Sequence, residues 1–261
     1  MRNFVIGFFM AWGNFLTIPC PYKRWDSNLK NTMLAFLPSV GAVLGLVWSI
    51  VGVLLFMLGA PVYIAAFVMT FAVFALCGFM HMDGFMDCND AILSRRPLED
   101  RQRILKDSTV GAFAVVTVAF LILGWFAAMV NYLMAVADVR ELAVLFVIPV
   151  ASRSVGAIAV LNIRPMGTSQ YAEDYEKPKK GKYTASVIVQ AILFAVAAAF
   201  VSGLYVETLA VIGIVFLCEI IACSYAVHNL KGMSGDIAGY TICFGELAGI
   251  IALAVISGFV F

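Results

Sequence analysis

The stretch Cys77-Gly-Phe-Met-His81-Met-Asp83-Gly84-Phe-Met-Asp87-Cys-Asn-Asp90 puts three carboxylates into eight positions of a chain that is otherwise overwhelmingly apolar. Each helical residue advances about 100°, so Asp83, Asp87 and Asp90, at i, i+4 and i+7, fall within roughly 60° of one another on one face. Like charges so placed repel, and Asp is a poor helix former. Helix packing gives no reason for the pattern, and a bound cation does. Mg²⁺ takes one or two carboxylates and completes its octahedron with water and substrate phosphates. The plainer explanations are a solvated acidic face or pairing with Arg95, Arg96 or Arg101. Gly84 lets a backbone or a phosphate approach closely. His81 lies about 200° from Asp83 around the helix, which suits a structural hydrogen-bonding residue better than a ligand.

Outside this stretch the composition sets the class. Hydrophobic residues make up 63% of the chain and charged residues 13%, with a mean hydropathy of +0.98. Soluble domains average about 25% charged residues. The chain therefore reads as an all-α, polytopic integral membrane bundle, a single domain over 1–261. The polar stretches are too short to fold alone. The net charge of +1 says little about partners, and no nucleic acid is expected. The six cysteines show no C-x-x-C pair, so neither a disulfide framework nor a zinc site is expected. A cleaved signal peptide is not expected either, because no small-residue cleavage site follows residues 3–19.

Uncharged apolar runs of about 20 residues locate seven spans, near 32–58, 62–80, 111–136, 142–163, 185–206, 208–227 and 241–261. The second is expected to run directly into the acidic stretch, with 81–109 a polar, helical segment. Residues 3–19 are short for a span and carry Trp12, Gly13 and Asn14, which favours an interfacial or re-entrant helix. Glu207 marks a turn, and 228–240 reads as a Gly-containing loop. Lys and Arg gather in alternate loops: three in 20–31, five in 81–109, five in 164–184, and Lys231. By the positive-inside rule these loops face the cytoplasm. The charged clusters then share one cytoplasmic mouth.

Further candidates lie near that mouth or in the spans. Lys106-Asp107-Ser108 precedes Gly111 and the third span, where a lysine and a helix N-terminus can meet an anion. Asp107 or Ser108 capping that helix is the simpler explanation. Arg153 lies within an apolar span, which costs at least about 2.5–3.5 kcal/mol on insertion scales and makes it a functional candidate. Its bland alternative is pairing with Glu219 or Glu246. Arg164 follows by about three turns, on a similar face, and could line an anion path with Arg153 or serve topology alone. Asn229-Leu-Lys231-Gly232-Met-Ser234-Gly235-Asp236 offers Asp236 as a fourth carboxylate or a base, or as part of a capping turn. The run Glu173-Asp174-Tyr-Glu176-Lys177-Pro-Lys179-Lys180 is foremost a solvated loop, with attraction to headgroups or a nucleotide as the sharper alternative.

The order His81-x-Asp83-Gly84-x-x-Asp87-x-x-Asp90, then Leu105-Lys106-Asp107-Ser108-x-x-Gly111-Ala112-Phe113, resembles the cobalamin synthase family, the adenosylcobinamide-GDP ribazoletransferases. The likeness continues through Phe15-Leu-Thr-Ile-Pro19, Phe36-Leu-Pro38-Ser-Val-Gly41, Arg153, Arg164-Pro165-x-Gly167, Ser234-Gly235-Asp236-x-x-Gly239 and Glu246. Cys88 and Ala91 depart from the pattern without removing a carboxylate.

The resemblance implies a Mg²⁺-dependent enzyme of a prokaryotic plasma membrane. Adenosylcobinamide-GDP and α-ribazole, or its 5′-phosphate, would give adenosylcobalamin, or its phosphate, and GMP. Charge and geometry, rather than family membership, then assign Asp83, Asp87 and Asp90 to Mg²⁺, with Asp90 doubling as base and Asp236 a further ligand or base. On the same grounds Lys106, Arg153 and Arg164 bind pyrophosphate or GMP, with Asp107, Ser108, Gly84 and His81 around the substrate. The oligomeric state is left open, a homo-oligomer included. The acidic spacing also resembles that of the membrane CDP-alcohol phosphotransferases, as an analogy of site alone. An ion-coupled transporter using Arg153, Glu219 and Glu246 is a different class, and an inactive scaffold a third; the acidic triplet at the mouth rather than the midplane argues against transport.

Overall fold

A computed structural model of the chain describes residues 2–167, 169, 171, 175 and 180–258. Eleven α-helices are described: α1 (Arg2–Phe15), α2 (Lys30–Ala35), α3 (Leu37–Met57), α4 (Val62–Leu76), α5 (Met80–Leu93), α6 (Leu98–Ile104), α7 (Ala112–Ala135), α8 (Val147–Asn162), α9 (Lys180–Ser202), α10 (Tyr205–Leu230) and α11 (Gly235–Gly258). A 3₁₀ segment, Val139–Phe146, leads into α8. Six of these units are long and apolar enough to cross a membrane, and α4 with α5 makes a seventh if the bent pair counts as one. At 14 residues α1 is about 21 Å long, short of a hydrocarbon core of about 30 Å.

The 3₁₀ segment and α8 form the axis of the bundle: 83% of their apolar stretch is buried, against 11% for α9. That burial is what allows α8 to carry Arg153 inside the bundle. Trp48, Trp125 and Phe74 meet edge-on in the core, and the Trp48 indole N–H donates to the Met69 carbonyl at 2.9 Å. Phe120, Phe200, Val206 and Leu217 project outward, as expected of helices whose outer faces meet lipid.

The second span does not continue into the acidic stretch. It breaks at Cys77-Gly78-Phe79, where Gly78 and Phe79 adopt positive φ, and α5 leaves α4 at 86°. The carbonyls that the break exposes are satisfied from another segment. Thr17 donates its N–H to Leu76 O at 2.9 Å and its hydroxyl to Ala75 O at 3.0 Å. The acidic stretch therefore lies on a separate helix, α5, set at a steep angle to α4.

Two other boundaries move. The turn expected at Glu207 sits at Gly203-Leu204, and Glu207 opens α10. The loop expected over 228–240 shrinks to Lys231–Ser234, because the Ser234 hydroxyl caps α11 by accepting from the Ile237 N–H at 3.2 Å. Asp236 thus sits in the first turn of a helix. α6 closes the end of α10: Gln102 donates to Leu230 O and Arg101 to Asn229 Oδ1. Met166 and Arg164 pair with Met233 through backbone hydrogen bonds, joining two of the basic loops.

Candidate active site

α5 crosses the start of α11 so closely that a Cβ on Gly84 would lie 2.7 Å from the Asp236 carbonyl oxygen. The close approach that Gly84 permits is therefore to a backbone. The crossing brings Asp83 of α5 and Asp236 of α11 onto the wall of one cavity of about 190 Å³. His81, Arg153, Asn14 and Tyr171 also line it. Asp87 stands one turn along α5, partly buried. Burial first, then the charges of Asp83, Asp236 and Asp90, push its carboxyl up to about 7. Lys106, exposed in the turn after α6, is the cation within electrostatic reach of Asp236.

Asp90 does something different from its neighbours. Its Oδ2 accepts from the Gly111 N–H at 2.6 Å and its Oδ1 from the Ala114 N–H at 3.0 Å. A carboxylate from α5 thus caps α7, with the charge at the positive end of that helix. The absence of a side chain at Gly111 makes the room, since a Cβ there would lie 2.5 Å from Asp90 Oδ1. This corrects two expectations. Asp90 is engaged by backbone N–H groups rather than turned toward Asp83 and Asp87. The helix N-terminus expected to meet an anion already holds one. Asp107 does not cap α7 either; its Oδ1 accepts from the Thr109 N–H and hydroxyl, which hold its carboxyl below the ordinary range. Ser108 is exposed in the same turn.

Arg153 is buried and ion-paired with Glu246. It also donates to Cys77 Sγ at 3.0 Å, and its Nη2 lies 3.5 Å from His81 Nδ1. Ser152 donates to the same Glu246 oxygen at 3.0 Å. The arginine expected to bind pyrophosphate is thus held by protein groups. It ties α8 and α11 to the elbow between α4 and α5, and closes the inner wall of the cavity. Arg164 does not share its helical face: α8 ends at Asn162, and Arg164 is exposed in the following loop. Glu219 is buried beside Gly245, with both oxygens lacking a hydrogen-bond partner among the described residues. His81 stacks on Phe15 at 6.4 Å. The run at Glu173, Asp174, Glu176, Lys177 and Lys179 lies outside the described residues.

Among the described residues no three His, Cys, Asp or Glu side chains are arranged to hold a metal ion. Two carboxylates on one cavity wall, with a third a turn away, nevertheless fit a hard cation that needs only one or two protein carboxylates. Of the three aspartates expected on one face, Asp83 lines this cavity together with Asp236, whereas Asp90 is taken up by the N–H groups of Gly111 and Ala114. Asn14, Phe15 and Tyr171 were not anticipated at the site; the polar Asn14 within the apolar run 3–19 was the one available signal.

Fold and site together define a polytopic helical membrane protein with a carboxylate-walled cavity at its polar mouth. Residues 7–254 match the family described as cobalamin-5-phosphate synthase, and the chain belongs to that family. It is 33% identical over 258 residues to an adenosylcobinamide-GDP ribazoletransferase of Clostridium perfringens, covering 98% of this chain and 100% of the relative. A protein of the same name from Clostridium botulinum is 31% identical, over 97% and 98%. One from Listeria monocytogenes is 29% identical, over 94% and 96%. No solved structure matches.

Proposed function

We propose that this chain joins adenosylcobinamide-GDP to α-ribazole, or to α-ribazole 5′-phosphate, in cobalamin synthesis. A ribose hydroxyl oxygen bonds to the phosphorus attached to cobinamide, the bridging P–O bond breaks, and GMP leaves. The hydroxyl proton passes to a cavity carboxylate or to solvent, and the product is adenosylcobalamin or its phosphate. The observation that carries the reading is the convergence of Asp83 and Asp236, from two helices, on one cavity. Asp83, Asp87 and Asp236 are the residues that would hold Mg²⁺, which supplies charge neutralisation on the pyrophosphate when bound. Asp236 and Asp83 orient the attacking hydroxyl and accept its proton. Lys106 and Arg164, exposed at the same end, meet the departing GMP. The mouth faces the cytoplasm of a prokaryotic cell, where the water-soluble substrates are.

An ion-coupled transporter has less support, because Arg153 and Glu246 are spent on each other. The test is GMP release by purified protein in detergent, given adenosylcobinamide-GDP and α-ribazole with and without Mg²⁺. Release that needs both substrates and the cation is expected. No release under any of these conditions, or equal release without Mg²⁺, contradicts the reading.

A further inference from the structure

We propose that the groove between α1 and residues 16–25 binds the phosphorylated nucleoside substrate, with Lys23 and Arg24 on its phosphate and Trp25 against its base. The proposal rests on the transferase reading above. That reading brings two large substrates to one mouth. The carboxylate cavity, at about 190 Å³, is below the roughly 300–1,000 Å³ typical of sites that enclose a whole ligand. The groove beside it measures about 600 Å³. Asn14 lines both, so they share a wall.

The groove is held in place by its own hydrogen bonds. Trp12 Nε1 donates to Ile18 O at 2.9 Å, the Cys20 thiol donates to Phe9 O at 3.5 Å, and Thr17 fastens the segment to the end of α4. Lys23 and Arg24 line it and are exposed, and neither has a hydrogen-bond or ion-pair partner among the described residues. A guanidinium and an ammonium side by side suit a phosphate dianion. Trp25, also on the groove wall and 58% exposed, offers a free ring face to an aromatic base. The carboxylate cavity repels a phosphate monoester and the groove attracts it. A nucleoside anchored by its phosphate on Lys23 and Arg24 turns its ribose hydroxyls toward Asn14 and the carboxylates.

An anionic lipid headgroup presents the same phosphate without the base, and the test separates the two. KM is measured in detergent free of anionic lipid for α-ribazole 5′-phosphate, α-ribazole and adenosylcobinamide-GDP. The double variant Lys23→Ala/Arg24→Ala should raise KM about tenfold for the phosphorylated nucleoside, the loss of roughly one charge-assisted contact. It should change KM little for the unphosphorylated nucleoside or for adenosylcobinamide-GDP. Trp25→Ala should raise KM for both nucleosides. Tryptophan fluorescence should change on titration with α-ribazole 5′-phosphate, less so in Trp25→Phe. Unmoved KM values, or in the double variant an equal rise with and without the phosphate, would overturn the proposal, as would a double variant whose KM values stay unmoved while its binding to anionic phospholipid vesicles is lost, which would assign the groove to lipid. Wild-type turnover is the control. An inert wild type rejects the transferase reading and the groove with it, whereas an active wild type with unmoved variants rejects the groove alone.

Discussion

Gly84 and Asp236 touch backbone to side-chain-less backbone, with 2.7 Å left between the place of a Cβ and the Asp236 carbonyl oxygen. That contact sets how near the carboxylates of α5 come to the carboxylate of α11. A Gly84→Val substitution must push the two helices apart, because the obstruction is main chain and cannot rotate away. Turnover should fall at least about tenfold, with a higher Mg²⁺ concentration needed for half-maximal rate, if the carboxylates act together. Mg²⁺ titration of GMP release by the variant checks this; an unchanged titration curve would show that the spacing is immaterial.

Asp90 and the start of α7 give a second prediction. Asp90→Ala removes the acceptor for two backbone N–H groups and should cost about 1–2 kcal/mol of stability. Asp90→Asn keeps one amide oxygen and should cost less. Thermal unfolding in detergent measures both. The half-maximal Mg²⁺ concentration should stay near wild type in Asp90→Asn; a large increase there would return Asp90 to the metal site.

The Arg153–Glu246 pair gives a third. Glu246→Gln leaves a buried guanidinium without its counter-charge, and about 3–5 kcal/mol should be lost. Replacing both partners, as Arg153→Met with Glu246→Leu, should recover much of that stability. Activity should not recover with it, because Cys77 and His81 then lose the group that holds the elbow. Recovery of both would mean that the pair serves packing alone.

The spans were legible because membrane crossing is written in hydropathy, and the acidic face because a period of 3.6 residues gathers Asp83 and Asp87. The resemblance, too, lay in the order of local motifs. The elbow at Cys77–Phe79 was not legible: apolar residues run through it, and its stabilising partner, Thr17, lies about sixty residues earlier. The partners of Asp90, Gly111 and Ala114, lie 21 and 24 residues later in the chain, at the start of another helix. Side-chain spacing therefore grouped Asp90 with the cation site when tertiary structure uses it as a cap. For Arg153 the sequence offered Glu219 and Glu246 equally. Only the packing of α8 against α11 chooses Glu246. Gly232 and Gly235 read as turn residues and point to a loop around Asp236, whereas the capping alternative holds: Ser234 starts the helix that carries Asp236 in its first turn.

The central claim is that carboxylates from α5 and α11 hold one cation between them, and the most direct measurement is Mg²⁺-dependent GMP release by Asp83→Asn and Asp236→Asn, each assayed beside wild type with unfolding temperatures compared. Each variant should unfold near the wild-type temperature, turn over at least about 100-fold more slowly, and need more Mg²⁺ for the rate that remains. A folded variant of either residue with wild-type turnover and an unchanged Mg²⁺ requirement would contradict the account.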